Sequence, residues 1–293
     1  MTLPNFLIIG VQKAGTTSIY NYLKQHPQVY VSPVKETNFL EKNWENESRK
    51  PAIDTLEKYE KLFAQVSNEL AIGEASPNYL FHYDSSIERI QRYVPQAKLI
   101  AILRNPIDRA YSDYLMHIRD AIRKSKPKSL AELITDYSAS SFILLKGFYY
   151  QHLQHFYQAF EREQIQVYLY DNLVKDSVKF MQNLYHFLEV DDTFSPDVSR
   201  RSQLAQVPKN QTFNKLLRQE NSFRTLARSA LKLVLPVEAR QKIRSSLINL
   251  NSQDKTAVPL TPENRQQLQE LYREDILKLQ DLIDEDLTAW LDS

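Results

Sequence analysis

The stretch FLIIGVQKAGTTSIYNYL, residues 6–23, predicts a strand, a glycine loop and a helix in direct succession. An apolar run ends at Gly10, four residues separate it from Gly15, and hydroxyl side chains open the amphipathic segment that follows. Loops of this outline hold phosphate on backbone N–H groups and on the positive end of the helix. A nucleotide triphosphatase keeps its lysine directly after the second glycine, but this chain has Thr16 there and Lys13 three residues earlier. The residues predicted to contact the anion are Lys13, Ala14, Gly15, Thr16, Thr17 and Ser18.

Glycine is rare in this chain, with four in 293 residues, whereas average usage of about 7% would supply roughly 20. Two of the four, Gly10 and Gly15, bracket the loop. A chain so sparing of glycine uses it where backbone conformation or close approach demands it. The alternative is an ordinary strand, turn and helix, but the concentration of glycines favours the anion-binding interpretation.

Strand-like and helix-like patterns alternate over the first 190 residues. The strand-like runs lie at 6–10, 29–31, 70–75, 98–103 and 166–170. The helical patterns lie at 16–25, 55–66, 84–93, 106–120, 148–162 and 173–189. This alternation is typical of an α/β fold, in which helices flank a parallel sheet and ligands bind at the carboxyl ends of its strands. Further helical patterns at 211–233, 237–249 and 262–290 predict a mainly helical C-terminal part. We expect one domain over residues 1–293, with an α/β core in 1–190 and a helical extension in 191–293.

A second anion site is predicted at LIAILRNPIDRAYSDYLMH, residues 99–117. Arg104 ends a strand, Asn105 can cap the next helix, and Pro106 suits its first turn. Ser112 lies about two turns into that helix, where it would bind a phosphate together with Arg104. A triphosphatase would instead end this strand in an aspartate that holds magnesium. The sequence therefore predicts a cationic site without a metal, and the two sites together predict a ligand with two separated phosphates.

Both motifs resemble those of the sulfotransferases. FLIIGVQKAGTTSIYNYLKQHPQV is similar to their 5′-phosphosulfate loop, and ILRNPIDRAYSDY is similar to their 3′-phosphate motif. VSPVKETNFL, residues 31–40, resembles the Lys-Glu-x-x-Phe-Phe segment of the branch that includes bacterial carbohydrate sulfotransferases and animal heparan sulfate sulfotransferase domains. Other segments match that branch in order and spacing: GEASPNYL, LLKGFYYQHLQHFYQAF, QVYLYDNLVKDSVKFMQNLYHFLEV and LTPENRQQLQELYREDILKLQDLI. The resemblance covers nearly the whole chain.

The resemblance implies a metal-independent transferase whose donor is 3′-phosphoadenosine 5′-phosphosulfate (PAPS). Lys13 would contact the bridging oxygen of the donor and stabilise the charge on the leaving phosphate. The matching residues for the 5′-phosphate are Thr16, Thr17 and Ser18, and those for the 3′-phosphate are Arg104 and Ser112.

Two residues are implied in proton transfer. Glu36 matches the family's catalytic carboxylate, which takes the proton from the acceptor hydroxyl or amine as it attacks sulfur in line. Its alternative interpretation is an exposed loop carboxylate. His117 follows the 3′-phosphate motif and would assist proton transfer or acceptor binding. A lone histidine at a helix end is otherwise a cap or a surface group.

Two segments depart from the family pattern. Many relatives have Glu-Lys-Ser/Thr-Pro where residues 74–77 read Glu, Ala, Ser and Pro, so a cation that often helps to bind the sulfate or the acceptor is absent at Ala75. Lys35, next to Glu36, is a candidate substitute. The segment NSQDKTAVPL, residues 251–260, contains no glycine and poorly matches the loop that closes over adenine, so the adenine contacts stay unassigned.

Composition limits the other partners. Thirty-seven basic residues against 36 acidic ones give a net charge of +1, which favours neither nucleic acid nor membranes. Cysteine is absent, which excludes disulfides and thiolate metal sites. No apolar run approaches the roughly 20 residues of a spanning helix, and no basic leader pattern opens the sequence, so we expect a cytoplasmic protein. The basic segment 198–244 is interpreted as solvated helix faces or, alternatively, as a surface for an anionic acceptor or a membrane.

Two other functions stay open at this point. A nucleoside or small-molecule kinase with a degenerate phosphate loop would require ATP and magnesium. A non-catalytic nucleotide-binding protein, suggested by Ala75, would bind the desulfated nucleotide and transfer nothing. For a sulfotransferase we expect a carbohydrate, a glycolipid or a small metabolite as the acceptor. The aromatic run FYYQHLQHFYQAF, residues 148–160, would line the acceptor cleft or pack in the core.

Overall fold

The computed structural model describes residues 2–42, 51–121, 129–135, 142–199, 207–208, 252–253 and 260–292. The chain divides into two compact units. The first comprises Met1–Ala110, Phe142–Ser202 and Leu268–Ser293, and the second comprises Tyr111–Ser141 and Gln203–Gln267. This division differs from the expected core of 1–190 followed by an extension, because residues from three parts of the chain form the first unit.

The first unit contains a sheet of five parallel strands. They are β1 (Phe6–Gly10), β2 (Val29–Val31), β3 (Ala71–Ala75), β4 (Lys98–Leu103) and β5 (Ile165–Leu169), in the spatial order β2-β3-β1-β4-β5. β2 and β3 therefore lie on one side of β1, and the later strands β4 and β5 lie on its other side. Ligands of open parallel sheets bind at the carboxyl ends of the strands beside such a reversal.

The central position of β1 explains its sequence. In the register, Phe6 pairs with Gly73 of β3 on one side and with Lys98 of β4 on the other. The side chains of residues 6–9 are fully buried. A strand that is covered on both faces has a continuous apolar run and no alternation with polar residues. The run FLII therefore belongs to the middle of the sheet, and the loop that follows it leaves from the middle of the carboxyl edge.

Each helix predicted within the described residues begins within three residues of an observed helix, but the helices predicted over 55–66 and 262–290 end at 60 and 283. The observed helices are α1 (Thr16–Leu23), α2 (Leu56–Glu60), α3 (Tyr83–Tyr93), α4 (Pro106–Ala121), α5 (Leu130–Thr135), α6 (Phe142–Leu145), α7 (Tyr149–Ala159), α8 (Tyr170–Lys175), α9 (Ser177–Phe187) and α10 (Pro262–Ile283). Short 3₁₀ turns cover Lys61–Phe63, Arg162–Gln164 and Thr288–Trp290. The α/β fold and its mainly helical C-terminal part are confirmed.

One predicted helix is divided in two, and two short helices were missed. The single helix expected over 173–189 is divided into α8 and α9, because Asp176 takes an extended conformation and its carboxylate accepts the N–H of Lys179 at the start of α9. The short helices α5 and α6 were not predicted, since four to six residues are too few for a helical period to show.

The second unit contains α5, the later part of α4 and the start of α10. It also contains an antiparallel pair in which Val207 lies opposite Gln253. The predicted helices 211–233 and 237–249 lie outside the described residues, as do nearly all of the basic segment 198–244 and most of the segment 251–260. Among the helices that the structure describes, none is both long and apolar enough to cross a membrane.

Candidate active site

The loop after β1 contains two residues with left-handed backbone conformation. The φ angles are 72° at Lys13 and 79° at Gly15. A Cβ atom added to Gly15 would lie 2.8 Å from Cδ2 of Leu173 and 3.0 Å from Cε2 of Tyr170, so both conformation and space require glycine. Gly15 is also the N-cap of α1, and it has no side chain that could cap the first amides of that helix. The loop therefore presents an uncapped helix N-terminus, where anions bind favourably.

The backbone amides of this loop divide into two groups. The N–H of Ala14 donates to the carbonyl of Val11 at 3.3 Å, and the N–H of Ser18 donates to the carbonyl of Gly15 at 2.9 Å. These two amides hold the loop in shape. Thr16 and Thr17 are the first helical residues, whose amides have no acceptor within the helix. Their side chains differ, because Thr16 is buried and Thr17 is exposed.

Arg104 connects the second motif to the first. It follows β4, the neighbour of β1, and its Nη1 donates a hydrogen bond of 3.0 Å to the carbonyl of Lys13. Its guanidinium lies 5.0 Å from the ring centroid of Tyr170, and its own carbonyl accepts the hydroxyl of Tyr149 at 2.9 Å. Asn105 caps α4 as predicted, since its Oδ1 accepts the N–H of Ile107 at 3.0 Å. Arg104, at the end of the neighbouring strand, therefore lies beside the first loop at the carboxyl edge of the sheet.

Glu36 lies in the segment after β2, at the same edge. Its N–H donates to the carbonyl of Ala75 at 2.9 Å, which places it beside the end of β3. Its φ angle is 60°, and its side chain is 42% exposed. Nζ of Lys35 lies 2.5 Å from Oε1 of Glu36. The candidate base Glu36 therefore forms an ion pair with the adjacent Lys35 through one of its two carboxylate oxygens.

A buried carboxylate lies beneath this segment. Glu74 is fully buried at the end of β3 and accepts hydrogen bonds from four hydroxyl groups. The donors are Thr37 at 2.6 Å, Tyr79 at 2.7 Å, Ser76 at 2.8 Å and Tyr59 at 2.8 Å. Burial raises the pKa of Glu74, and the four hydroxyl donors oppose that rise.

The same hydroxyls fix the backbone after Glu36. The hydroxyl of Ser76 accepts the N–H of Asn38 at 3.2 Å, and the hydroxyl of Tyr79 accepts the N–H of Leu40 at 3.1 Å. Glu74 therefore anchors the segment that carries Glu36. In the sequence analysis, Glu74 was named only as part of a departing motif, and the two hydroxyl residues near it in sequence, Ser76 and Tyr79, were the available signal.

Ser112 and His117 lie on the part of α4 that belongs to the second unit. Ser112 is buried. His117 has a side chain that is 54% exposed, and its Nδ1 lies 3.1 Å from the carbonyl of Asp113 in the preceding turn. This exposure fits the interpretation of His117 as a surface group. The structure brings Lys13 and Arg104 together at the sheet edge. Ser112 and His117 belong to the second unit and are described only within it.

A further lysine at the edge was not predicted. Nζ of Lys146, in the turn after α6, donates to Oε1 of Gln12 at 2.8 Å and to Oδ1 of Asn78 at 3.0 Å. Gln12 precedes Lys13, and Asn78 follows β3 by three residues. The sequence gave no motif for this contact, because it depends on three segments that only the fold brings together. Within the described part of the chain, histidines and carboxylates do not gather in groups of three that could hold a metal ion.

The fold and the site together define an α/β protein with a glycine loop between its first strand and first helix and an arginine at the end of the neighbouring strand. Residues 3–281 match the model of the sulfotransferase domain, and the chain therefore belongs to the sulfotransferase family. This confirms the resemblance seen in the sequence motifs.

Similar proteins include a solved structure and two curated relatives. The crystal structure of a sulfotransferase from Alicyclobacillus acidocaldarius is 27% identical, with a TM-score of 0.71 over 99% of each chain. Mouse carbohydrate sulfotransferase 15 is 32% identical over 155 residues, which is 39% of this chain and 27% of that protein. Human bifunctional heparan sulfate N-deacetylase/N-sulfotransferase 3 is 37% identical over 113 residues, 38% of this chain and 13% of that protein. The chain thus spans about a quarter or less of the length of these curated relatives.

Proposed function

We propose that this chain transfers a sulfuryl group from PAPS to a hydroxyl or amine group of a carbohydrate acceptor. Membership of the sulfotransferase family and similarity to carbohydrate and heparan sulfate sulfotransferases support the reaction class. The observation that carries the proposal is the hydrogen bond of 3.0 Å from Arg104 to the carbonyl of Lys13. It joins the two cationic motifs, so that one nucleotide with two phosphates can reach both.

The residues of the first loop fit the 5′ end of such a donor. Gly15 has no side chain that could cap the first amides of α1, and Thr16, Thr17 and Ser18 add hydroxyl groups. Lys13 supplies the positive charge for the bridging oxygen and stabilises the negative charge that develops on the leaving phosphate. Arg104 and Ser112 are proposed to bind the 3′-phosphate, and Arg104 retains further N–H donors for this beside the one bonded to Lys13.

Proton removal is assigned to Glu36. It lies on an anchored segment at the carboxyl edge, and a carboxylate held within hydrogen-bond reach of the acceptor serves as a general base. Lys35 bonds one of its oxygens, which leaves the second oxygen to face an acceptor. His117 is kept as a second candidate for proton transfer or acceptor binding. Transfer then proceeds by positioning, charge stabilisation and one base.

Thermal unfolding with added nucleotides tests the donor assignment. At about 100 times its dissociation constant, 3′,5′-bisphosphoadenosine should stabilise the protein by about 2.7 kcal/mol in the presence of a chelator. Lys13→Ala and Arg104→Ala should lose this stabilisation, because each removes a cation from the proposed phosphate contacts. The matched controls Lys24→Ala and Arg92→Ala change exposed cations and should retain it.

The same measurement separates the alternative functions. Stabilisation by ATP with magnesium, and none by the bisphosphate, would identify a kinase instead. Stabilisation by the bisphosphate without transfer of labelled sulfate to any member of a saccharide panel would identify a non-catalytic nucleotide-binding protein.

A further inference from the structure

The backbone that carries Glu36 has conformations that need support from outside. We call residues 36–40 the base segment. The φ angles are 60° at Glu36 and 52° at Asn38, so two residues other than glycine have left-handed backbone within three positions. Such conformations cost free energy and persist where the surrounding contacts hold them. The contacts of the base segment therefore decide where the proposed base lies.

Three successive amides of the base segment bond to hydroxyl oxygens. The N–H of Asn38 donates to Ser76 at 3.2 Å, that of Phe39 to Thr37 at 3.3 Å, and that of Leu40 to Tyr79 at 3.1 Å. We call Thr37, Ser76 and Tyr79 the segment hydroxyls. Each of them donates its own proton to the carboxylate of Glu74. The base segment is thus linked to one buried carboxylate through three hydroxyl groups.

The charge of Glu74 decides which way the segment hydroxyls point. A hydroxyl has one proton, and an ionised carboxylate only accepts hydrogen bonds. Because each segment hydroxyl gives its proton to Glu74, its oxygen is left to accept an amide of the base segment. Oε2 of Glu74 accepts Thr37 and Ser76, and Oε1 accepts Tyr79 and Tyr59. A glutamine would place an NH₂ donor on one of these sides, so at least one segment hydroxyl would have to turn its proton away from residue 74.

The fourth donor to Glu74 has a different environment. The hydroxyls of Tyr59 and Tyr79 bond the same carboxylate oxygen at 2.8 Å and 2.7 Å, and both side chains are fully buried. Within the part of the chain that the structure describes, the Tyr59 hydroxyl bonds Glu74 and no amide of the base segment. The ring of Tyr59 stacks on Phe39 at 4.5 Å, a contact that a phenylalanine would keep. The two tyrosines therefore separate support of Glu74 from support of the base segment.

We propose that Glu74 is a positioning residue for sulfuryl transfer, which acts through the segment hydroxyls to hold Glu36 where it takes the acceptor's proton. This inference rests on the proposed sulfotransferase function. Because Glu74 is fully buried, it acts on the base segment and not on the acceptor. A general base works only within hydrogen-bond reach of the proton, and a misplacement of about 1 Å costs about 10²-fold in rate.

Two tyrosine variants test the proposal. Tyr79→Phe and Tyr59→Phe each remove one donor from the same oxygen of Glu74, but only Tyr79→Phe also removes the acceptor of the Leu40 amide. kcat should fall about 10- to 100-fold in Tyr79→Phe and stay within about threefold in Tyr59→Phe. Both variants should keep the KM for PAPS and the affinity for 3′,5′-bisphosphoadenosine. Initial rates with labelled PAPS use the saccharide of the panel that is sulfated fastest, or water as the acceptor if none is, and calorimetry measures the affinity.

Variants of Thr37 and Glu74 extend the test. Thr37→Val keeps the shape of the side chain without its hydroxyl and should lower kcat as Tyr79→Phe does. Thr37→Ser keeps the hydroxyl and should retain most of kcat. Glu74→Gln should lower kcat at least as much as Tyr79→Phe, and the Thr37 and tyrosine pairs replace it if it does not fold.

The outcomes separate positioning from a purely structural role. Thermal unfolding measures the stability of each variant. A purely structural role would lower the melting temperature and leave kcat of the folded variants unchanged, or lower kcat equally in the two tyrosine variants. Either result, or wild-type kcat in Thr37→Val, would overturn the proposal. Failure of the proposed function is distinct, because the wild type would then transfer sulfate to neither saccharide nor water, and this inference would fall with it.

Discussion

The requirement for glycine at position 15 could be predicted from the sequence. The φ angle of 79° at Gly15 and the close approach of Leu173 and Tyr170 both require the absence of a side chain. In a chain with four glycines, such a requirement is visible in the composition itself. Lys13 in the same loop also has a positive φ angle, without glycine's freedom, and its carbonyl is held by Arg104. The spacing of the glycines predicted the loop, and the structure shows that a hydrogen bond from Arg104 to the carbonyl of Lys13 holds it.

Glu36→Gln tests the proposed general base. The amide cannot accept the acceptor's proton, so kcat should fall about 10²- to 10⁴-fold, while affinity for 3′,5′-bisphosphoadenosine stays within twofold. Initial rates with labelled donor and calorimetry with the bisphosphate measure the two quantities. Glu60→Gln on α2 is the control and should retain activity. Normal turnover by Glu36→Gln would remove Glu36 from this role.

Glu74 and Lys146 mark the limit of prediction at single residues. The four hydroxyl donors of Glu74 come from positions 37, 59, 76 and 79, and the two acceptors of Lys146 come from positions 12 and 78. No local pattern connects Glu74 with residues 37 and 59, or Lys146 with residues 12 and 78, because these partners are far apart in sequence. Their contacts follow from strand order, which an amphipathic period or a glycine loop does not specify.

Among the elements, continuous apolar strands were the most predictable. The bounds of β1, β2 and β4 match the expected runs, because strands buried on both faces lack polar interruptions. The segment 173–189 was less predictable. Its apolar period continues across Asp176, so periodicity alone indicates one helix, whereas Asp176 caps α9 and interrupts it. In the sequence Asp-Ser-Val-Lys at 176–179, Asp176 is a residue type that favours the N-cap position, and this is the local signal for two helices instead of one.

Asp176→Ala tests this cap. Loss of the hydrogen bond of 2.9 Å from the N–H of Lys179 should lower the free energy of unfolding by about 0.5–2 kcal/mol. Chemical denaturation measures the change, and bisphosphate binding should be unaffected. Asp176→Asn, which keeps a capping oxygen, should lie close to the wild type. Equal stability of the alanine variant and the wild type would show that the cap does not stabilise α9.

At the scale of the whole molecule, Asp275 connects distant parts of the chain. It is buried on α10, and its carboxylate accepts the N–H groups of Tyr150 at 3.0 Å and Gln151 at 3.3 Å in the first turn of α7. Burial raises the pKa of Asp275 from 3.8 to about 6, against the opposing effect of the backbone hydrogen bonds. The C-terminal helix is thereby linked to the α/β part of the first unit through a titratable group.

This link predicts a dependence of stability on pH. Because the pKa is higher in the folded state, the folded protein binds more protons between pH 3.8 and about 6. The free energy of unfolding should therefore fall as pH rises through this window, relative to Asp275→Asn, by at most about 3 kcal/mol, since one pKa unit corresponds to about 1.4 kcal/mol. Denaturation of both proteins at several pH values measures the difference. Parallel curves would contradict the assignment to Asp275.

The strand order has a consequence for how the chain is made. β1 leaves the ribosome well before the two strands that flank it. Its Phe6 pairs with Gly73 of β3 and with Lys98 of β4, and both residues are synthesised much later than Phe6. At about 5–20 residues per second, the second of these partners is synthesised roughly 5–20 s after the first strand. During that interval the run FLII is exposed without a sheet to join. Chaperones that bind short apolar segments therefore have their first opportunity at the same residues that later form the centre of the fold.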